Sequence, residues 1–215
     1  MSITPSPVEQ IVNLFVRVIT KNGHEPQGKK ALMDDVIGAR TEAGNLKMEL
    51  YQSAISSSEF YLIERWSDGS QLDEHFKQPY TQGAFDLQKE DLREPIEMNY
   101  MQEHWQPAGI LNKESHQSYK TLIVPFEVKE GCGESFIKEF EKFVPIVRKE
   151  EGNIEFHFFS VIGSNNRFVL YERWESHEHL EAHNKQSTTI DFVSRITPLL
   201  TKEVSAFILH VTDIS

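Results

Sequence analysis

Cysteine is nearly missing from this chain: Cys132 stands alone among 215 residues, so no internal disulfide can form. No apolar run approaches the roughly 20 residues that a membrane helix requires. The first residues, MSITPSPVEQ, hold neither the basic nor the apolar segment of a secretory leader. A cytoplasmic location, with no membrane partner, is therefore expected. Positive charge is also short, with 22 Lys+Arg against 33 Asp+Glu and a formal net charge of −11. That balance repels phosphate backbones and anionic lipid, and no basic stripe offsets it, so nucleic acid is excluded as an expected partner.

What is present suffices for a packed core: 39% of the residues are hydrophobic and 11% aromatic, spread along the sequence. The chain also repeats itself. Residues 12–107 and 120–215 read as diverged copies at a constant shift of 108 positions. Glu42-Ala43-Gly44-Asn45 falls on Glu150-Glu151-Gly152-Asn153, and Phe60 to Trp66 falls on Phe168 to Trp174. Over 42–81 against 150–189, 14 of 40 positions are identical, where composition alone would give roughly two or three. We therefore divide the chain into repeat 1 (1–105, core 12–105), a polar linker (106–119) and repeat 2 (120–215).

Each copy shows the same succession of hydrophobic periods. Leu14, Val16 and Val18, like Leu122, Val124, Phe126 and Val128, alternate with their neighbours at the period of a half-buried strand. Phe136, Phe140, Phe143, Val144 and Val147 then recur at helical spacing, and the Gly of Glu-x-Gly-Asn ends that helix. Two more alternating segments form a hairpin, a second helix begins after Trp66 or Trp174, and last strands are expected near 96–104 and 204–212. The order β-α-β-β-α-β is that of a ferredoxin-like α+β unit, an antiparallel sheet with both helices on one face. The opposite face, read as apolar in alternation, needs a cover, and the other copy can supply it. Pro125 interrupts the first strand of repeat 2 and predicts a bulge there.

These motifs resemble the antibiotic biosynthesis monooxygenase (ABM) family of dimeric α+β barrels. The matching pieces are Lys149-Glu150-Glu151-Gly152-Asn153, the strand end Glu172-x-Trp174, and the run from Trp174 to His183. Repeat 1 follows less closely with Glu64, Trp66 and His75-Phe76-Lys77-Gln78-Pro79. The resemblance implies two ferredoxin-like repeats forming an intramolecular α+β barrel, present as a monomeric pseudo-dimer or a homodimer. It also implies a choice among chemistries. Haem-degrading relatives carry a Trp and then a His along the second helix, where this chain has His75 and Phe85, or His183 and Val193. Isomerase-type relatives carry a His where Val36 and Val144 stand, and many quinol-type relatives a second His where Tyr80 and Thr188 stand.

The expected activity is thus a cofactor-independent oxidation of a quinol or related polyphenol by O₂, with neither metal nor flavin. Such a reaction needs a base for a phenolic proton and a mostly apolar cavity, and imidazole is suited to the first task. His75 and His183 recur at one place in both copies and are the catalytic candidates, against the plainer reading of each as a half-exposed helix residue that packs or caps. Glu64 with Trp66, and Glu172 with Trp174, share a strand face and are substrate-binding candidates. Their plainer reading is a strand-end anchor. Tyr80 and Asn13 complete the binding set, and Tyr80 against Thr188 favours repeat 1 as the better pocket. His179 and His183 are spaced for a metal, but no third ligand is evident. A non-catalytic module that binds a small aromatic is the alternative.

Overall fold

The computed structural model describes residues 10–105 and 119–215. The expected linker lies outside these, apart from Tyr119. The first repeat runs β1 (Val12–Ile19), α1 (Glu25–Ala39), β2 (Asn45–Ser53), β3 (Glu59–Trp66), α2 (Gly69–His75), α3 (Pro79–Glu90) and β4 (Glu97–His104). The second runs β5 (Lys120–Glu127), α4 (Gly133–Val147), β6 (Asn153–Val161), β7 (Arg167–Trp174), α5 (His177–Lys185), α6 (Ser187–Ile196) and β8 (Leu209–Asp213). In the first repeat β1 lies between β3 and β4 with β2 beyond β3, and in the second β5 lies between β7 and β8 with β6 beyond β7, all antiparallel. This is the expected α+β architecture.

By compactness the described residues fall into two units. The first holds those up to Met101 together with Thr212–Ser215, and the second holds Gln102 to Trp105 and Tyr119 to Val211. Each has its own core between sheet and helices. In the first unit, Leu14, Val16 and Val18 of β1 and Phe60, Leu62 and Trp66 of β3 pack against Leu32 and Val36 of α1. In the second, the equivalent strand residues pack against Phe136, Phe140, Phe143, Val144 and Val147, the helical stripe read from the sequence.

Four details differ from the sequence reading. The second helix of each repeat is two pieces, because Gln78 and Gln186 adopt extended backbone between them and Pro79 starts a fresh first turn. Pro125 causes no bulge, since β5 stays in register with β7 through Val124↔Leu170, Pro125↔Val169 and Phe126↔Phe168. Pairing of β5 with β8 involves only Leu122 and Ile123, so a residue without an N–H is accommodated beyond that ladder. The irregularities fall instead between Asn45 and Lys47 and between Asn153 and Glu155. The last strand of repeat 2 starts only at Leu209, because Val204–Ala206 form a 3₁₀ turn that drops Phe207 onto Phe126, rings 5.7 Å apart.

The fourth difference concerns the sheet face away from the helices, where buried apolar residues such as Phe15, Ile63, Ile123, Phe159 and Val169 are interspersed with buried charges. In the first unit it buries Asn13, Lys47, Glu49 and Arg65, with Lys47 Nζ 3.4 Å from Glu49 Oε1. In the second it buries Glu155, His157 and Arg173, with His157 Nδ1 2.6 Å from Glu103 Oε1. Alternation was read correctly but the residue class was not: charges can be buried when they meet opposite charges.

One arginine device recurs in both repeats. Arg40 and Arg148, each capping its helix, donate from Nε to the carbonyls of Met48 and Phe156 at 2.9 Å, tying helix end to the following strand. The turn beside it is tight. Gly152 has φ of +75°, and a Cβ there would strike the His179 ring, whereas Gly163 at φ +85° faces open space. Gly152→Ala should therefore lower the unfolding free energy by about 2–3 kcal/mol and Gly163→Ala by about 1 kcal/mol, as read by urea denaturation. Equal losses would show that His179 yields freely.

Candidate functional site

The strand end, the Glu-x-Gly-Asn turn and the start of the second helical segment meet at one place in each unit. In the first unit, His75 is 1% exposed and its Nδ1 lies 2.8 Å from Glu42 Oε1. The same carboxylate oxygen accepts from Tyr80 OH at 2.8 Å. An ionised carboxylate only accepts, so Nδ1 carries the hydrogen and Nε2 of a neutral ring is left with its lone pair. Trp66 packs on the imidazole, ring centroids 4.4 Å apart, and its Nε1 donates to Glu64 Oε2 at 3.0 Å.

The second unit repeats this frame. His183 Nδ1 lies 2.8 Å from Glu150 Oε2, Trp174 sits 4.7 Å from the imidazole, and Trp174 Nε1 donates to Glu172 Oε2 at 3.0 Å. Neither histidine is the half-exposed helix residue of the plainer reading. Trp66 and Trp174 are fully buried with their indoles against histidine. Asn13 lies on the opposite sheet face, away from this site. Sequence reading missed Glu42 and Glu150 as the imidazole partners, although both stand in the repeated Glu-x-Gly-Asn motif.

What surrounds the frame differs sharply between units. α1 buries Leu32, Asp35, Val36 and Ala39 as one stripe, so Asp35 faces the core. Its Oδ1 accepts from Thr81 Oγ1 at 2.7 Å and lies 3.7 Å from His75 Nε2. With Glu64, His75, Thr81 and apolar side chains of β1, α1 and α3, Asp35 lines a cavity of about 30 Å³. No Lys or Arg is among the lining residues. At the places of Asp35 and Ala84, the second unit has Phe143 and Phe192, stacked with centroids 3.8 Å apart. At those of Leu32 and Leu50 it has Phe140 and Phe158, stacked at 3.9 Å. Phenylalanine thus occupies, in the second unit, the space that corresponds to the cavity of the first.

The enclosed carboxyls are electrostatically unusual. Burial pushes Glu64 up to about 7, with the Trp66 N–H opposing and the Asp35 charge adding to the rise. Burial likewise raises Asp35, against the pull of Thr81 and His75. Glu172 is raised by burial as well, with His183 and Trp174 opposing. Tyr80 is pushed up to about 12 by burial and by its bond to Glu42, and its hydroxyl is occupied there as a donor. Among the described residues no group of three or more His, Cys, Asp or Glu is placed to hold a metal. No described helix is long and apolar enough to cross a membrane.

The family model described as antibiotic biosynthesis monooxygenase matches residues 12–87 and again 121–195. The chain belongs to that ABM family. A Bacillus subtilis relative named "Putative monooxygenase YcnE" is 32% identical over 74 residues, which is 34% of this chain and 78% of the relative. Two solved structures, each titled as a putative monooxygenase, share the fold over nearly the full length. One, from Fusobacterium nucleatum, has a TM-score of 0.79 at 15% identity and covers 95% of both chains. The other, from Lactobacillus acidophilus, has a TM-score of 0.71 at 12% identity and covers 90% of both. Within this ABM chain the two matched segments thus hold one frame in two states, open and filled.

Glu64 supplies a measurable signature of the burial. Between pH 4.5, its ordinary value, and about 7, the unfolded chain releases this proton while the folded chain keeps it, so stability falls as pH rises through that window and levels off above it. The loss amounts to roughly 3 kcal/mol at most. Glu64→Gln keeps an acceptor for Trp66 and removes that term. Its melting temperature should fall less than that of the wild type between pH 4.5 and 7, and a parallel pair of curves would refute the assignment.

Proposed function

We propose that the chain is a cofactor-independent monooxygenase acting on a quinol or related polyphenol, with its chemistry in the first unit. The carrying observation is the open cavity where His75, held by Glu42, turns Nε2 toward a largely apolar enclosure. Family membership supports an oxygenase, and the lack of lining cations suits a neutral substrate with hydroxyl donors. The balanced reaction is quinol plus O₂ giving a hydroxyquinone plus water. Imidazole takes a phenolic proton, and the electron-rich phenolate passes an electron to O₂; the two radicals then join carbon to oxygen. The quinol supplies both electrons that reduce the second oxygen atom to water. A single cysteine, Cys132, suits the reducing cytoplasm as the setting.

His183 shares the frame but faces Phe143, centroids 5.9 Å apart, so we assign it to packing. Oxygen uptake with a panel of quinols tests the division. His75→Ala should lower the rate by about 10²–10⁴-fold, while His183→Ala changes it by less than about threefold. No uptake above background by the wild type, or equal losses in both variants, would defeat the proposal.

Catalysis and the non-catalytic alternative both need room for an aromatic ring. A cavity of about 30 Å³ holds a water or two, and an aromatic ring requires Phe76 and Phe85, centroids 5.6 Å apart at the lining, to swing aside. Ligand-induced thermal stabilisation without oxygen consumption would support a binding module.

A further inference from the structure

The groups common to both units cannot explain why one is open and the other filled. Glu42, His75, Glu64, Trp66 and Thr81 all have identical counterparts at 150, 183, 172, 174 and 189. Among the polar residues lining the cavity, Asp35 is the one without such a counterpart, since Phe143 occupies its place. A carboxylate on the buried stripe of a helix costs several kcal/mol unless it is compensated. Leucine or phenylalanine at position 35 would cost nothing of the kind. Yet the compensation here is slight: one hydroxyl, Thr81 at 2.7 Å, and an imidazole nitrogen 3.7 Å away. Asp35 is 5% exposed, and the room at its side comes from Ala84, where the second unit stacks Phe192.

We propose that Asp35 is a second catalytic group of the first unit, the acceptor of the proton lost from the ring carbon. The proposal deepens the quinol reading and rests on it. After O₂ has joined the ring, the carbon bears both hydrogen and a peroxide, which takes the proton held by His75. Asp35 removes the carbon-bound proton, and the C–H electron pair becomes the second bond of the new carbonyl. The O–O bond breaks, its pair leaving on the distal oxygen as hydroxide. That hydroxide takes the proton from Asp35 and departs as water, so His75 and Asp35 both return to their starting states. O₂ is the sole oxidant, and atoms and charge balance as quinol plus O₂ to hydroxyquinone plus water.

Two features suit Asp35 to this step over Glu64. Glu64 has one oxygen engaged by Trp66 Nε1 and recurs in the filled unit as Glu172, so the frame accounts for it. Asp35 also sits on the Nε2 side of His75 rather than the Glu42 side, which places both proton-handling groups around one volume. Burial raises its affinity for a proton, which helps it to hold one.

Turnover of hydroquinone by the full chain, followed at an oxygen electrode with ring-protonated and ring-deuterated substrate, tests the step. Asp35→Asn should lower kcat by about 10²–10⁴-fold with KM changed less than about threefold, and should show a larger primary isotope effect than the wild type. Asp35→Ser should be slow but partly restored by added formate, a small carboxylate able to enter the vacated space. Unimpaired kcat in Asp35→Asn, a loss confined to KM, or failure of both variants to fold would overturn the role of Asp35 while leaving the quinol reading standing. A wild type inactive on every quinol would instead end that reading, and this proposal with it.

Discussion

A carboxylate in the turn after the first helix grips an imidazole on the helical segment after the third strand. That contact, 2.8 Å in each unit, ties together parts of the chain 33 residues apart. It draws the Glu-x-Gly-Asn turn, the tryptophan at the strand end and the second helical segment into one corner. Charge-assisted hydrogen bonds of this kind, shielded from water, are stronger than neutral ones and fix geometry as well as energy. The tryptophan covers the imidazole and anchors its own N–H on a buried glutamate. Without the grip, the helical segment would have no polar reason to dock where it does.

Given that shared frame, the units diverge by volume and polarity at a few facing positions. Leu32, Asp35, Leu50 and Ala84 leave a cavity, whereas Phe140, Phe143, Phe158 and Phe192 close it with two stacked pairs. Stacked aromatic pairs contribute roughly 0.5–1.5 kcal/mol each beyond the area they bury. A filled second unit is therefore a source of stability, and the open first unit carries the cost of an enclosed carboxylate. Burial of charge and vacancy of volume are both unfavourable to folding, and their coincidence at one place distinguishes the first unit from the second.

Most of the frame was legible in the sequence. Alternation and helical spacing marked the strands and the α4 stripe, and the 108-residue shift paired His75 with His183 and Trp66 with Trp174. The break within the second helical segment was less visible, because Gln78 and Gln186 carry no strong helix-stopping signal. The sheet face away from the helices was read as apolar, yet Lys47, Glu49 and Arg65 are buried on it among Phe15, Tyr51 and Ile63.

Chain order alone determined that there are two copies of one α+β unit, which residues face the helices, and which histidines recur. Those properties follow from periodicities that each segment carries locally. Tertiary structure decided the rest: that Glu42 is the partner of His75, that Asp35 reaches the same enclosure from another helix, and that four phenylalanines occupy the corresponding space in the second unit. These are contacts between segments distant in sequence. Side-chain volume becomes a cavity or a plug only when facing positions are brought together.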